Sequence, residues 1–143
     1  MSFVPFLCGE KTNHREHRVK KIKMALYYNL PVYKESYDLL LQVYTAVKKT
    51  AREYKFTLGE RLKNEVTDLL VAIFEASKTA NTAEKINYIN IALNCLEKVR
   101  LYTRLFKDLN VWGVTIQVTI NQKIESISKQ LTQWSVYVAR VQQ

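Results

Sequence analysis

Apolar positions along this chain recur at four- and three-residue intervals, the period of one face of an α-helix. In the first such stretch Pro31 takes a favoured first-turn position. Tyr33, Tyr37, Leu40, Tyr44, Val47, Ala51 and Tyr54 follow it at helical spacing. Thr57-Leu58-Gly59-Glu60 has the spacing of a capping box. It opens a second helix along Leu62, Val66, Leu69, Ile73 and Ala76. The polar segment Lys78–Thr82 leads to a third helix, whose start Asn81 and Glu84 can cap. This third helix, Glu84 to Asn110, is apolar over most of its circumference. Tyr88, Ile91, Ala92, Cys95, Val99, Tyr102, Phe106 and Leu109 form one broad face, with Ile86, Ile89, Leu93 and Leu96 as a flank beside it. Such a helix needs burial on two sides, in a bundle or against another subunit. The segment VWGVTIQVTI is ambiguous, because Val114, Ile116, Val118 and Ile120 alternate as a strand would. Ile120, Ile124, Ile127, Leu131, Trp134, Val138 and Val141 then return to helical spacing. A lone strand would also lack a partner, so a fourth helix is predicted from about Thr115 to Val141.

Four helices with short connections predict an all-α fold, an antiparallel up-down-up-down four-helix bundle over residues 24–143. Residues 1–23 differ. They show no apolar period and carry Cys8, both histidines and six cations: Lys11, Arg15, Arg18, Lys20, Lys21 and Lys23. They read as a basic, mobile N-terminal arm, or as an upstream extension with Met24 as the working start. Cys8, His14 and His17 lack a fourth zinc ligand, which disfavours a metal site there.

A chain of 143 residues is one domain with room for a core. Three glycines, two prolines and 48% hydrophobic residues exclude disorder and a turn-rich β fold. Cys8 and Cys95 make no disulfide framework, as in a reducing cytosol. No apolar run approaches membrane-spanning length. MSFVPFLC precedes its charges instead of following them, the reverse of a secretory signal. A cytoplasmic protein without membrane contact is expected.

Charge changes the picture most. The net charge is +9, so anionic partners are favoured. In the predicted topology the first and third connections fall at one end. That end collects Lys48, Lys49, Arg52, Lys55, Arg61, Lys63, Arg100, Arg104 and Lys107 against Glu53, Glu60, Glu65, Glu97 and Asp108, while the rest of the bundle is nearly balanced. The plain alternative is a solvated face with local pairs, Glu97–Arg100 at i,i+3 and Arg104–Asp108 at i,i+4. Polarised placement supports an anionic partner at least as well, and these nine cations are the candidate nucleic-acid-binding residues.

Catalytic chemistry is scarce. Both histidines lie in the arm, no Gly-rich phosphate loop exists, and no Glu-x-x-His occurs. Cys95 falls on an apolar helix face and reads as a small core residue. No enzymatic activity and no cofactor or metal is expected.

Several separated pieces carry a resemblance: Leu30-Pro31-Val32-Tyr33, Arg52-Glu53-Tyr54-Lys55-Phe56-Thr57-Leu58-Gly59-Glu60, Asn64-Glu65, Arg100-Leu101-Tyr102-Thr103-Arg104-Leu105, and Gln130-Leu131 leading to Trp134. From about Leu30 to Val138 the chain resembles a family of four-helix bundles. That family includes proteins encoded in ribosomal RNA intervening sequences and the accessory variability determinants of diversity-generating retroelements. The family often has small residues just before the tryptophan, where Thr132-Gln133 stand here. The resemblance implies a non-enzymatic subunit of a five-membered ring that, in the retroelement branch, binds the reverse transcriptase and template RNA, or an RNA/DNA hybrid, and supports mutagenic retrohoming. In the intervening-sequence branch it implies a structural or unknown role. Arg52, Arg100 and Arg104 sit in matching pieces; the other six cations come from the charge argument alone. Surplus apolar residues off the first seam, Tyr27, Tyr28, Leu39 and Leu41, also lead to the expectation of a closed homo-oligomer.

Overall fold

The computed structural model describes residues 29–141. The arm with Cys8, His14 and His17, the alternative start Met24, and Tyr27 and Tyr28 lie outside the described residues. Five helices follow in order: α1 (Pro31–Lys48), α2 (Arg52–Lys55), α3 (Leu58–Lys78), α4 (Thr82–Asp108) and α5 (Val114–Val141). There is no strand among the described residues. The four long helices form a closed square in which α1 and α4 each pack against both α3 and α5. Cross-helix pairs run in opposed order. Between α4 and α3, Lys85 meets Ala76 and Lys98 meets Glu65; between α4 and α5, Arg100 meets Glu125 and Thr103 meets Gln117. The bundle is antiparallel throughout, as the spacing predicts.

Of the four long helices, α3 buries every position its periodicity marks, while α4 and α5 bury part of theirs. In α3, Leu62, Val66, Leu69, Ile73 and Ala76 are fully enclosed. In α5, Ile120, Ile124, Ile127 and Leu131 are enclosed and Val138 nearly so, whereas Trp134 is half-buried and Val141 is exposed in the last turn. Val114 and Val118, which alternate as in a strand, lie exposed on this helix. The helix α4 spends its broad apolar surface inside the bundle, with Ile89, Ala92, Leu96, Val99 and Phe106 fully buried and Cys95 nearly so. Its position between α3 and α5 explains why two flanks are apolar. Ile91 and Leu109, expected on the buried face, remain exposed. Asn81 caps α4 as expected, its side chain accepting from the Glu84 N–H at 3.0 Å.

In α1 the expected seam is rotated. The buried line is Val32, Ser36, Leu39, Val43 and Ala46, with Tyr33 and Val47 beside it, about one residue or 100° from the line drawn through the tyrosines. Tyr37 and Tyr44 are half in water and Leu40 is only partly covered. Both lines are apolar enough to compete. The aliphatic one wins because it fills the interior without burying the phenols of Tyr37 and Tyr44 as well as that of Tyr33. Ser36 joins it by donating to the Val32 carbonyl at 2.7 Å. Leu39, expected off the seam, is fully buried, while Leu41 is exposed.

The first connection also departs from expectation. The helix α1 stops at Lys48, so Ala51 and Tyr54 belong to the connection, where α2 makes a single turn. No capping box forms at Thr57. Its hydroxyl donates instead to the Glu53 carbonyl at 2.8 Å, and Glu60 pairs with Lys63 at 2.6 Å. What shapes the entry to α3 is Gly59. A Cβ at this position would stand 2.6 Å from Val47 Cγ1 and 3.2 Å from the Tyr54 carbonyl oxygen. Glycine lets α3 start against the end of α1.

Gly59→Ala is therefore expected to destabilise, although alanine gains about 1 kcal/mol in helix propensity. A net loss of about 1–3 kcal/mol is expected from overpacking, read by urea denaturation followed by circular dichroism. In a double-mutant cycle with Val47→Ala, the two losses should fall short of adding. A stabilised Gly59→Ala protein would show that the close approach carries no cost.

Candidate nucleic-acid interface

The end of the bundle that holds the first and third connections is built around Trp112. After α4, Asn110 adopts a left-handed conformation with φ of 55°, which asparagine tolerates at a helix C-terminus. The Val111 N–H then reaches back to the Phe106 carbonyl at 2.9 Å. This reversal folds the Trp112 ring onto Phe106, the centroids 4.3 Å apart and the planes 11° from parallel. Trp112 Nε1 donates to Thr50 Oγ1 at 3.1 Å, and Thr50 in turn donates to the Ala46 carbonyl at 2.9 Å. The two connections are thus tied across the bundle end, and both rings are buried. Nothing in the spacing marks Trp112 for a role; its partner Thr50 lies 62 positions away, beyond any local spacing rule.

The nine candidate cations lie on the two connections at this end and on the helices that enter or leave them. Lys48 and Lys49 end α1, Arg52 and Lys55 lie on α2, Arg61 and Lys63 on the first turns of α3, and Arg100, Arg104 and Lys107 on the C-terminal half of α4. Lys48, Lys49, Arg52, Arg61, Arg104 and Lys107 are exposed, and Lys55 partly so. Arg100 and Lys63 differ, because carboxylates already hold them. The Arg100 side chain is 32% exposed, with Nε 3.1 Å from Glu97 and Nη1 in contact with Glu125 of α5. The hydrogen-bonded Glu125 carboxylate raises the guanidinium pKa above its ordinary value, against an opposing effect of partial burial. Glu97 was legible as a local partner; Glu125, 25 positions away, was not. Lys63 is 15% exposed, paired with Glu60. Arg104 is 81% exposed, and its contact with Asp108 is long at 3.7 Å, a surface pair of small energy.

Cys95 is a free, buried cysteine. Its pKa is raised first by burial and then by the charges of Glu65 and Asp68, so its thiol is held protonated, as befits a core residue. Among the described residues no group of three or more His, Cys, Asp or Glu side chains is placed to hold a metal ion. No helix among them is long and apolar enough to cross a membrane.

A sequence model of the family described as 23S rRNA-intervening sequence protein matches residues 28–133. That span takes in α1 to α4 and most of α5. No curated protein matches the chain.

Because Arg100 ties α4 to α5 while Arg104 stands in water, the two should respond differently to truncation. Arg100→Ala is expected to lower stability by about 1 kcal/mol, at the upper range for a partly exposed ion-pair network. Arg104→Ala should stay within about 0.5 kcal/mol of the parent, as for an ordinary surface site. Chemical denaturation midpoints at low and high salt measure both. Equal midpoints for the two variants would reduce the Glu97–Arg100–Glu125 cluster to a solvated pair.

Proposed function

Because the chain belongs to the 23S rRNA-intervening sequence protein family, we propose that it is a non-enzymatic, cytoplasmic nucleic-acid-binding subunit that docks its basic end on RNA. In the reading we favour, it is the accessory protein of a diversity-generating retroelement, holding template RNA beside the reverse transcriptase to support mutagenic retrohoming. The observation that carries the RNA-binding reading is the set of exposed cations on the connections and helices of this end: Lys48, Lys49, Arg52, Arg61, Arg104 and Lys107. They lack the buried carboxylate partners that would consume them, so releasing their counterions onto phosphate is favourable. The retroelement part rests on the resemblance of motif pieces. The family match itself supports a second reading, a bundle of the intervening-sequence branch with a structural role. Co-purification with a reverse transcriptase from the same operon separates the two.

Charge reversal tests the basic end. Arg52→Glu, Arg104→Glu and Lys107→Glu together should preserve the fold, since all three side chains are exposed. RNA affinity at low salt should fall at least about tenfold, and the slope of log affinity against log salt should shrink by roughly one for each phosphate contact removed. An unchanged slope would leave these residues as a solvated face.

Assembly is the second part of the proposal. Leu41 on α1 and Val114, Val118, Tyr137 and Val141 on α5 expose apolar surface, which supports a closed homo-oligomer, with five members favoured by the resemblance. At +9 the subunits repel one another, so only a sizeable apolar interface holds them. Light scattering coupled to size exclusion at micromolar concentration should return a multimeric mass. A monomer mass at moderate salt would rule the ring out.

A further inference from the structure

A cavity of about 340 Å³ opens where α1, α2 and α3 meet, lined by Tyr44, Thr45, Val47, Lys48, Lys55 and Lys63. Three of its six lining residues are lysines and none is acidic. Tyr44 is 51% exposed, and Lys63 Nζ stands 4.8 Å from the centre of its ring. Glu60 also holds that ammonium, at 2.6 Å. The ring is thereby steadied by a cation that is itself fixed, with half of its surface still in water. Next to the cavity, Phe56 is 61% exposed, with Lys55 Nζ 5.7 Å over its ring.

Single exposed aromatics are ordinary on protein surfaces. Here two of them stand in the most cationic part of the fold, each paired with a lysine that also lines the cavity. The ammonium groups supply contacts for phosphate. The rings supply flat apolar faces, which phosphate does not use and which a base does. In a duplex the faces of the bases are already stacked on one another, and the backbone and groove edges are what is presented. An unpaired nucleotide offers both its base face and its phosphate to such a cavity.

We propose that this cavity takes an unpaired nucleotide of single-stranded RNA, its base stacked on Tyr44 and its phosphate between Lys48 and Lys55, so that the basic end prefers single strands to duplexes. The proposal rests on the reading of the basic end as an RNA-binding surface and adds to it the kind of RNA selected. Thr45 closes the wall, its hydroxyl donating to the Leu41 carbonyl at 2.9 Å and keeping lone pairs to accept.

The test uses the full chain and fluorescence anisotropy with a short labelled oligouridine and a duplex RNA of matched phosphate number. Tighter binding of the single strand is expected. Tyr44→Leu should weaken oligouridine binding about tenfold, the loss of one stacked base, and leave the duplex unchanged. Tyr44→Phe should keep the parent affinity. Lys48→Ala with Lys55→Ala should weaken both RNAs. A readout independent of mutant folding is photo-crosslinking of the unaltered chain to an iodouridine-substituted oligomer, with adducts expected on Tyr44 or Phe56. Adducts confined elsewhere, or Tyr44→Leu weakening both RNAs equally or neither, would overturn the proposal while leaving salt-dependent binding by the basic end intact. A parent chain that binds neither RNA would overturn both.

Discussion

The stack of Trp112 on Phe106, tied to Thr50, is the contact on which the candidate interface depends. It joins the connection after α1 to the connection after α4. Every cation of the interface lies on one of these connections or on a helix that enters or leaves one. Two buried aromatic rings exclude water across the end of the four-helix square, and one hydrogen bond fixes the register of one connection on the other. Asn110 makes this possible, because its left-handed backbone turns the chain back over the last turn of α4. The glycine at position 59 does the same on the opposite side, letting α3 begin directly against Val47.

How legible a feature was in the sequence follows from how local its cause is. The buried lines of α3 and α5 stood out because each has one long apolar stripe at unbroken helical spacing, Leu62 to Ala76 and Ile120 to Leu131. The cap at Asn81 was legible because it closes within three residues. In α1 two apolar stripes lie about 100° apart, and spacing alone gives no reason to prefer Leu39 to Leu40. The decision belongs to the hydroxyls: Tyr37 and Tyr44 keep theirs at the surface, while Ser36 satisfies its own within the helix. The Thr57 box failed for a related reason. The Thr57 hydroxyl donates back to the Glu53 carbonyl that the turn of α2 presents, and its oxygen accepts no capping bond from the start of α3.

The candidate site was legible in its charge and not in its pairing. Sequence spacing treats Arg100 and Arg104 as equal members of one stripe, since each has a carboxylate within four residues. The fold separates them. Position 100 faces α5, where Glu125 completes a three-member cluster; position 104 points outward, and Asp108 holds it only loosely. One helix stripe is therefore divided along its length, Arg100 holding α5 and Arg104 standing in water. Similarly, Tyr44 looked like a seam residue, and its pairing with Lys63 required the approach of α3 to α1.

Closing the bundle end with aromatic rings has an electrostatic consequence. An end closed by ion pairs would need its cations for its own cohesion, as Arg100 and Lys63 are needed here. A stacked tryptophan is indifferent to neighbouring charge. It holds the two connections together while Lys48, Lys49, Arg52, Arg104 and Lys107 remain in water. The repulsion among those cations is weak at their exposed positions, where solvent and salt screen it. The fold thus tolerates an excess of positive charge that it does not itself use, at the end where two connections and four long-helix ends converge. Cohesion comes from the apolar interior, and these charges stay in water without a role in holding the fold.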